Sequence, residues 1–135
     1  MANLSGLKVM VIDDAMTITR AAEIYLAGPK DRPSGIVVKT VANGFDAIPE
    51  IFRFQPDIIF LDVMMPKVEG FTICKAIKSN KTLKAIKVIM LTSKSGLFDR
   101  AKGLDAGSDD YIEKPFQRDT ILLVVERHAP ERFTA

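Results

Sequence analysis

Short, almost wholly apolar runs alternate along this chain with longer segments whose apolar residues recur every three or four positions. The short runs predict strands over 8–12, 36–40, 57–61, 87–91 and 110–113, and the longer segments predict helices over 16–27, 45–54, 72–79, 97–106 and 118–128. Stretches such as Val9-Met10-Val11-Ile12 and Ile58-Ile59-Phe60-Leu61 show no polar alternation, so both faces of these strands must be covered. Regular strand-helix alternation does that, and predicts an α/β fold built on a doubly wound parallel sheet of five strands. The punctuation agrees: Asn43-Gly44 precedes the second helix, Gly70 the third, Gly107 follows the fourth, and Pro56 and Pro115 border strands. Pro49 is tolerable only in a first helical turn, because proline lacks the donor a helix interior uses, so the second helix must start late or kink. Segment 28–35 is dense in Gly, Pro and charge and reads as an exposed loop, and residues 129–135 are expected to fray.

A chain of 135 residues is one domain's worth, so residues 1–135 are expected to form a single domain with its core at about 7–128. With 47% apolar and 27% charged residues, neither disorder nor a fibrous repeat is expected. A net charge of +2 gives no strong pull toward nucleic acid. Lys75, Lys78, Lys81, Lys84 and Lys87 do cluster, but without interleaved aromatics they read as a solvated helix face and loop. Cys74, the single cysteine, has Phe71, Ile73 and Ile77 as near neighbours and reads as a small packing residue in a reducing compartment. No secretory signal opens the chain and no apolar run approaches the ~18 residues that span a bilayer, so a soluble cytoplasmic protein without membrane insertion is expected. His128, the one histidine, is expected to sit exposed at a helix end, where its charge suits the helix dipole.

The unusual polar residues fall at strand ends. Asp13 and Asp14 follow the first strand, Asp62 the third, Thr92 the fourth and Lys114 the fifth. In an all-parallel sheet these positions share the carboxyl-end edge, where doubly wound folds bind ligands. Any one of them alone is accounted for by a helix cap, a turn or a solvated terminus. Together they imply a site. Three carboxylates brought close must raise one another's pKa or recruit a cation, and an oxygen-only donor set suits Mg2+ before Ca2+. Lys114 would oppose the negative charge and Thr92 would offer a hydroxyl. Carboxylate, metal, ammonium and hydroxyl are the parts phosphoryl transfer needs, with Asp62 as the nucleophile.

The run Val9 to Asp14, the stretch Ile58 to Pro66 followed by Gly70, the pair Thr92-Ser93 after Leu91, and Tyr111-Ile112-Glu113-Lys114-Pro115-Phe116 resemble the receiver domain of two-component response regulators, over essentially the whole chain. The resemblance implies a flavodoxin-like (βα)5 sheet of strand order 2-1-3-4-5. It makes Asp62 the phosphoacceptor and places Mg2+ on Asp13, Asp14, Asp62 and the backbone carbonyl of Met64. Thr92 and Lys114 would bind phosphoryl oxygens, and Lys114-Pro115 would be cis. It implies a switch as well: the Thr92 hydroxyl moves inward, the Tyr111 ring follows, and the face made by the fourth helix, fifth strand and fifth helix changes shape. Gly96 and Gly103, beside or within the fourth helix, would soften that element. Two departures stand out: Ala15-Met16 replaces a polar or acidic residue often found after the acidic pair, and the 28–35 loop is longer than usual.

Details at 6–14, 43–47 and 93–99 look similar to stand-alone regulators of twitching motility and type IV pili. That likeness implies a chemotaxis-type histidine kinase or its phosphotransfer domain as donor and a downstream protein as target, with no enzymatic role beyond the chain's own phosphorylation and dephosphorylation. A haloacid-dehalogenase-type phosphatase or phosphotransferase would place its nucleophile after the first strand with a second Asp two residues on, whereas Asp13 and Asp14 are adjacent and cap-forming insertions are missing. A flavodoxin-like flavin carrier would need a Ser/Thr/Gly phosphate loop where this chain has two acids. The remaining rival, a receiver-fold partner-binding module not regulated by phosphorylation, is opposed by the complete acid, Thr and Lys set.

Overall fold

A computed structural model describes residues 3–65, 68–93 and 106–133. In chain order the elements are β1 (Lys8–Ile12), α1 (Met16–Ala27), β2 (Val37–Val41), α2 (Ala47–Phe54), β3 (Ile58–Asp62), β4 (Met64–Met65), β5 (Val68–Glu69), α3 (Gly70–Ser79), β6 (Lys87–Thr92), β7 (Asp110–Glu113), α4 (Arg118–His128) and a 3-10 turn (Glu131–Phe133). The predicted fourth helix, with Gly96 and Gly103, lies outside the described residues except for Ala106, which is helical and buried.

Five strands form one parallel sheet in the order β2-β1-β3-β6-β7. Counting these strands alone, the order is second, first, third, fourth, fifth, the flavodoxin-like arrangement the sequence implied. Alternate residues of one strand feed two cores, one on each face. Met10, Ile12, Ile59, Leu61, Val88 and Met90 meet Ile51 of α2 and Phe71, Cys74 and Ile77 of α3. Val9, Val11, Ile58, Phe60, Ile89 and Leu91 meet Ala22 and Leu26 of α1 and Ile121, Val124 and Val125 of α4. Burial on both faces is why these strands tolerate no polar alternation. It also makes the sheet a stiff mount for whatever follows its strand ends.

Boundaries moved where polar residues belong to elements. Asp62 and Thr92 pair within the ladder as the last residues of β3 and β6, instead of following them. The second strand runs one residue later than its apolar content suggests, because Val41 pairs with Ile12. Helix α2 starts late, at Ala47, which leaves Pro49 in its first turn. Helix α3 starts at Gly70, two residues before the predicted 72. The Lys114–Pro115 peptide is cis.

Three surface expectations are corrected. Residues 131–133 form a 3-10 turn whose Phe133 packs on the α1/α4-side core, while Arg132 pairs with Asp57 at 3.1 Å. His128 is largely buried, its Nε2 being 2.9 Å from Asp110 Oδ2. Lys78 is no solvated lysine, since its ammonium bonds Asp109 Oδ2 at 2.6 Å and the Ile86 carbonyl at 2.7 Å. Each of these polar side chains is held by a partner distant in sequence, which local pattern does not reveal.

Candidate functional site

At the carboxyl-end edge, β1, β3 and β7 deliver charged residues to one spot, and β6 ends between β3 and β7. Asp13 leaves β1 still tied to the sheet, its N–H donating to the Val41 carbonyl at 3.1 Å. Asp62 ends β3, Thr92 ends β6, and Lys114 follows β7 with its N–H on the Thr92 carbonyl at 2.7 Å. The Lys114 ammonium lies 2.8 Å from Asp62 Oδ1 and 3.2 Å from Asp13 Oδ2, bridging two carboxylates that are 3% and 1% exposed. Asp14 is exposed beside them. One carboxylate oxygen each from Asp13, Asp14 and Asp62 lies within 4.8 Å of the others.

Backbone donors orient the acids. Ala15 N–H donates to Asp13 Oδ1 at 2.9 Å, and Met64 N–H to Asp62 Oδ1 at 3.3 Å. Met64 sits in the short β4 strand, which pairs antiparallel with β5, and its side chain is 72% exposed. The Thr92 hydroxyl, fully buried, donates to the Ile112 carbonyl at 3.4 Å. Tyr111 is in register with Met90 and 39% exposed.

Burial pushes the Asp62 carboxyl up to about 6; the Lys114 hydrogen bond pulls it down, the Asp13 charge pushes it up again, and the Lys114 charge and Met64 N–H lower it. Burial lowers the Lys114 pKa, but the bond to Asp62 and the charges of Asp13 and Asp62 outweigh it, so the ammonium is held above its ordinary value. The site thus carries more negative charge than its one cation cancels. Its donor set is oxygen only, clustered and partly open through Asp14, which fits a small hard divalent cation and not a soft or nitrogen-seeking metal. A cleft of about 270 Å³ bounded by Asp13, Asp14, Met16 and Thr40 opens alongside.

Asp13, Asp14, Asp62 and Lys114 therefore come together as the strand ends suggested, while Thr92 ends the strand between β3 and β7 with its hydroxyl on Ile112. Gly70 is a participant that reading from composition did not reveal. A Cβ on it would lie 2.0 Å from the backbone oxygen of Asp62, and its N–H donates to the Val63 carbonyl at 2.9 Å. The first turn of α3 is in this way pressed against the residue that carries the central acid. The β4/β5 hairpin was also unforeseen, and Val68 within it packs where a side chain on Gly44 would stand.

Residues 9–126 match the response regulator receiver domain family. The chain is 48% identical to Protein PilG of Pseudomonas aeruginosa over 125 residues, covering 93% of this chain and 89% of that protein. Among solved structures it resembles the chemotaxis protein CheY4 of Vibrio cholerae, with a TM-score of 0.80, 29% identity, and coverage of 90% of this chain and 98% of that one. It also resembles DrrB, an OmpR/PhoB homolog of Thermotoga maritima, with a TM-score of 0.75, 31% identity, and coverage of 95% of this chain but only 54% of that one.

Proposed function

The chain belongs to the response regulator receiver family, and on that premise we propose that it is a phosphorylation switch whose phosphoacceptor is Asp62. The observation that carries this reading is the Lys114 ammonium bonded to both buried acids, Asp13 and Asp62, with Asp14 alongside. An Asp62 oxygen attacks the phosphorus of a phosphohistidine, the P–N bond breaks, and the imidazole leaves with the electron pair. Lys114 then releases part of its hold on Asp62 to meet a phosphoryl oxygen, and the Thr92 hydroxyl exchanges its long bond to Ile112 for another phosphoryl oxygen. Asp13, Asp14, Asp62 and the Met64 backbone carbonyl would hold Mg2+, which when bound supplies charge neutralisation of the phosphoryl group. Beyond its own phosphorylation and dephosphorylation the chain would catalyse nothing.

Movement of Thr92 would alter its link to β7, which supports Tyr111 as the second half of the switch and the β7/α4 side as the surface that reports the state to a downstream protein. Large exposed apolar side chains, Met16, Phe45 and Met64, follow β1, β2 and β3 at the acidic edge and suit docking of a donor protein there. Likeness to PilG and CheY4 supports a chemotaxis-type histidine kinase or its phosphotransfer domain as donor, in motility or pilus signalling within the cytoplasm. Among the described residues no helix is long and apolar enough to cross a membrane. The haloacid-dehalogenase alternative has no support in the geometry, because the central acid ends the third strand, not the first.

Acetyl phosphate with Mg2+ is expected to add one phosphoryl mass to the intact protein, and Asp62→Asn to abolish the addition. An unchanged mass for freshly prepared protein, or an unaffected Asp62→Asn variant, rules the assignment out.

A further inference from the structure

Two adjoining grooves lie at the amino-end edge of the sheet, opposite the acidic group. One, of about 290 Å³, is lined by Phe52, Gln55, Pro56, Thr82, Leu83 and Ile86. The other, of about 650 Å³, shares Pro56 and Ile86 and continues past Lys87 to Pro130 and Arg132. The first groove mixes apolar and polar surface: Leu83 and Ile86 belong to the core behind it and the Phe52 ring is exposed, while Gln55 and Thr82 add polar groups. Gln55, which turns the chain out of α2, does so with φ of 54°, the left-handed conformation that a non-glycine residue seldom adopts.

The rim is basic. Of the lysine cluster, Lys78 is committed to Asp109. Lys81 and Lys84 flank Thr82 and Leu83, are exposed, and have no carboxylate partner among the described residues. Lys87 is only loosely held, 3.9 Å from an Asp109 carboxylate whose nearer partner is Lys78 at 2.6 Å. Partly apolar slots edged by two unpaired ammonium groups and a loosely paired third match a chain segment that offers apolar side chains between acidic ones.

We propose that this edge docks an acidic peptide segment of a partner protein, with Leu or Phe side chains seated between Phe52 and Leu83 and with Asp or Glu side chains on Lys81, Lys84 and Lys87. A nucleic-acid backbone suits it less, because Asp57 and Glu131 line the larger groove and would face its phosphates, and Phe52 alone makes no stacking track. Docking here leaves the acidic edge free.

The probe is a random displayed-peptide library selected against the folded chain. Enriched sequences should combine Asp or Glu with Leu or Phe. Synthetic copies should perturb the amide resonances of Phe52, Gln55 and 82–87, and should bind about tenfold or more weakly to a Lys81→Glu/Lys84→Glu variant. Both substitutions are at exposed positions, and the circular dichroism spectrum of the variant checks that it is folded. Failure to enrich any sequence, enrichment of sequences without acids, perturbations confined to the acidic edge, or equal affinity for the charge-reversed variant would each overturn the proposal. Displacement of the peptide by heparin or a DNA duplex that shifts the same amides would replace it with a polyanion site.

Discussion

Asp62 ionises only against its own burial. An exposed aspartate titrates near about 4, whereas burial and the Asp13 charge, only partly offset by Lys114, bring Asp62 to about 6. Between those values the folded chain holds a proton that the unfolded chain has released, so stability contributed by this group is fully present below the window and declines as pH rises through it. Asp62→Asn, which cannot ionise, is expected to be more stable than the parent near about pH 7.5 by about 1–2 kcal/mol, and no more stable near about pH 4. The gain stays below the full value of the shift because Lys114 then keeps a single anionic partner. Denaturant titrations without divalent cation at the two pH values check this, and a less stable Asp62→Asn at the higher pH contradicts it.

Gly70 makes the complementary case, a residue whose importance lies in the side chain it lacks. At the start of a helix, alanine should improve on glycine by about 0.5–1 kcal/mol through backbone entropy. Here a Cβ would meet the Asp62 carbonyl oxygen at 2.0 Å, and backbone atoms have nowhere cheap to go. Gly70→Ala is therefore expected to lose about 2–3 kcal/mol of stability and to slow phosphoryl acceptance at Asp62. Thermal unfolding and intact-mass kinetics read the two effects, and a stabilised, normally modified variant excludes the contact. Residues of this kind are hard to read from sequence. Asp13, Asp62, Thr92 and Lys114 were legible because a charge or hydroxyl at the end of an apolar run is conspicuous, but a glycine at a helix boundary has an ordinary explanation as punctuation.

At the level of elements, strands were legible wherever burial on both faces demanded unbroken apolar residues, as in β1, β3 and β6. Their ends slipped because Asp62 and Thr92 are polar and yet make ladder pairs. The β4/β5 hairpin has two residues per strand, too few for any periodicity to register. The carboxyl-terminal turn was misread for another reason: Pro130, Glu131 and Arg132 resemble a frayed end, and only tertiary contact orders them. Arg132 lies over the Phe133 ring at 4.6 Å and pairs with Asp57, whose other oxygen accepts the Lys8 N–H at 2.9 Å, so the turn is joined to the starts of β1 and β3. Phe133→Ala is expected to cost about 1–2 kcal/mol, less than a fully buried ring because Phe133 is only partly covered, and to speed hydrogen exchange at the Lys8 amide. A loss within error would mean that the turn is passively attached. The link between β6 and β7 calls for a different test, since the Thr92 hydroxyl makes only a long bond to Ile112. Thr92→Val should leave stability within about 1 kcal/mol. It should also erase the change that beryllofluoride with Mg2+ produces in the Tyr111 amide resonance, and persistence of that change would exclude Thr92 from the switch.

Across the whole molecule, the parallel sheet sends its polar residues to opposite ends. Carboxylates gather at the carboxyl-end edge, and lysines with a partly apolar groove lie at the other. The acidic end stores unfavourable free energy, since three acids share one ammonium and Asp62 resists ionisation. A divalent cation that binds only the folded chain relieves that cost and stabilises the entire domain by mass action, by about 2.7 kcal/mol at a hundredfold excess over its dissociation constant. Thermal unfolding should accordingly shift upward by roughly 10 °C on replacing chelator with saturating Mg2+ at neutral pH. Because Mg2+ must displace the proton that Asp62 holds below about 6, the same addition should have a much smaller effect near about pH 5. Asp14 is exposed, so Asp14→Asn should preserve the fold while reducing the Mg2+ shift at neutral pH. A Mg2+ shift that is independent of pH and unchanged in Asp14→Asn would place the cation elsewhere on the surface and separate metal binding from the carboxylates of the strand ends.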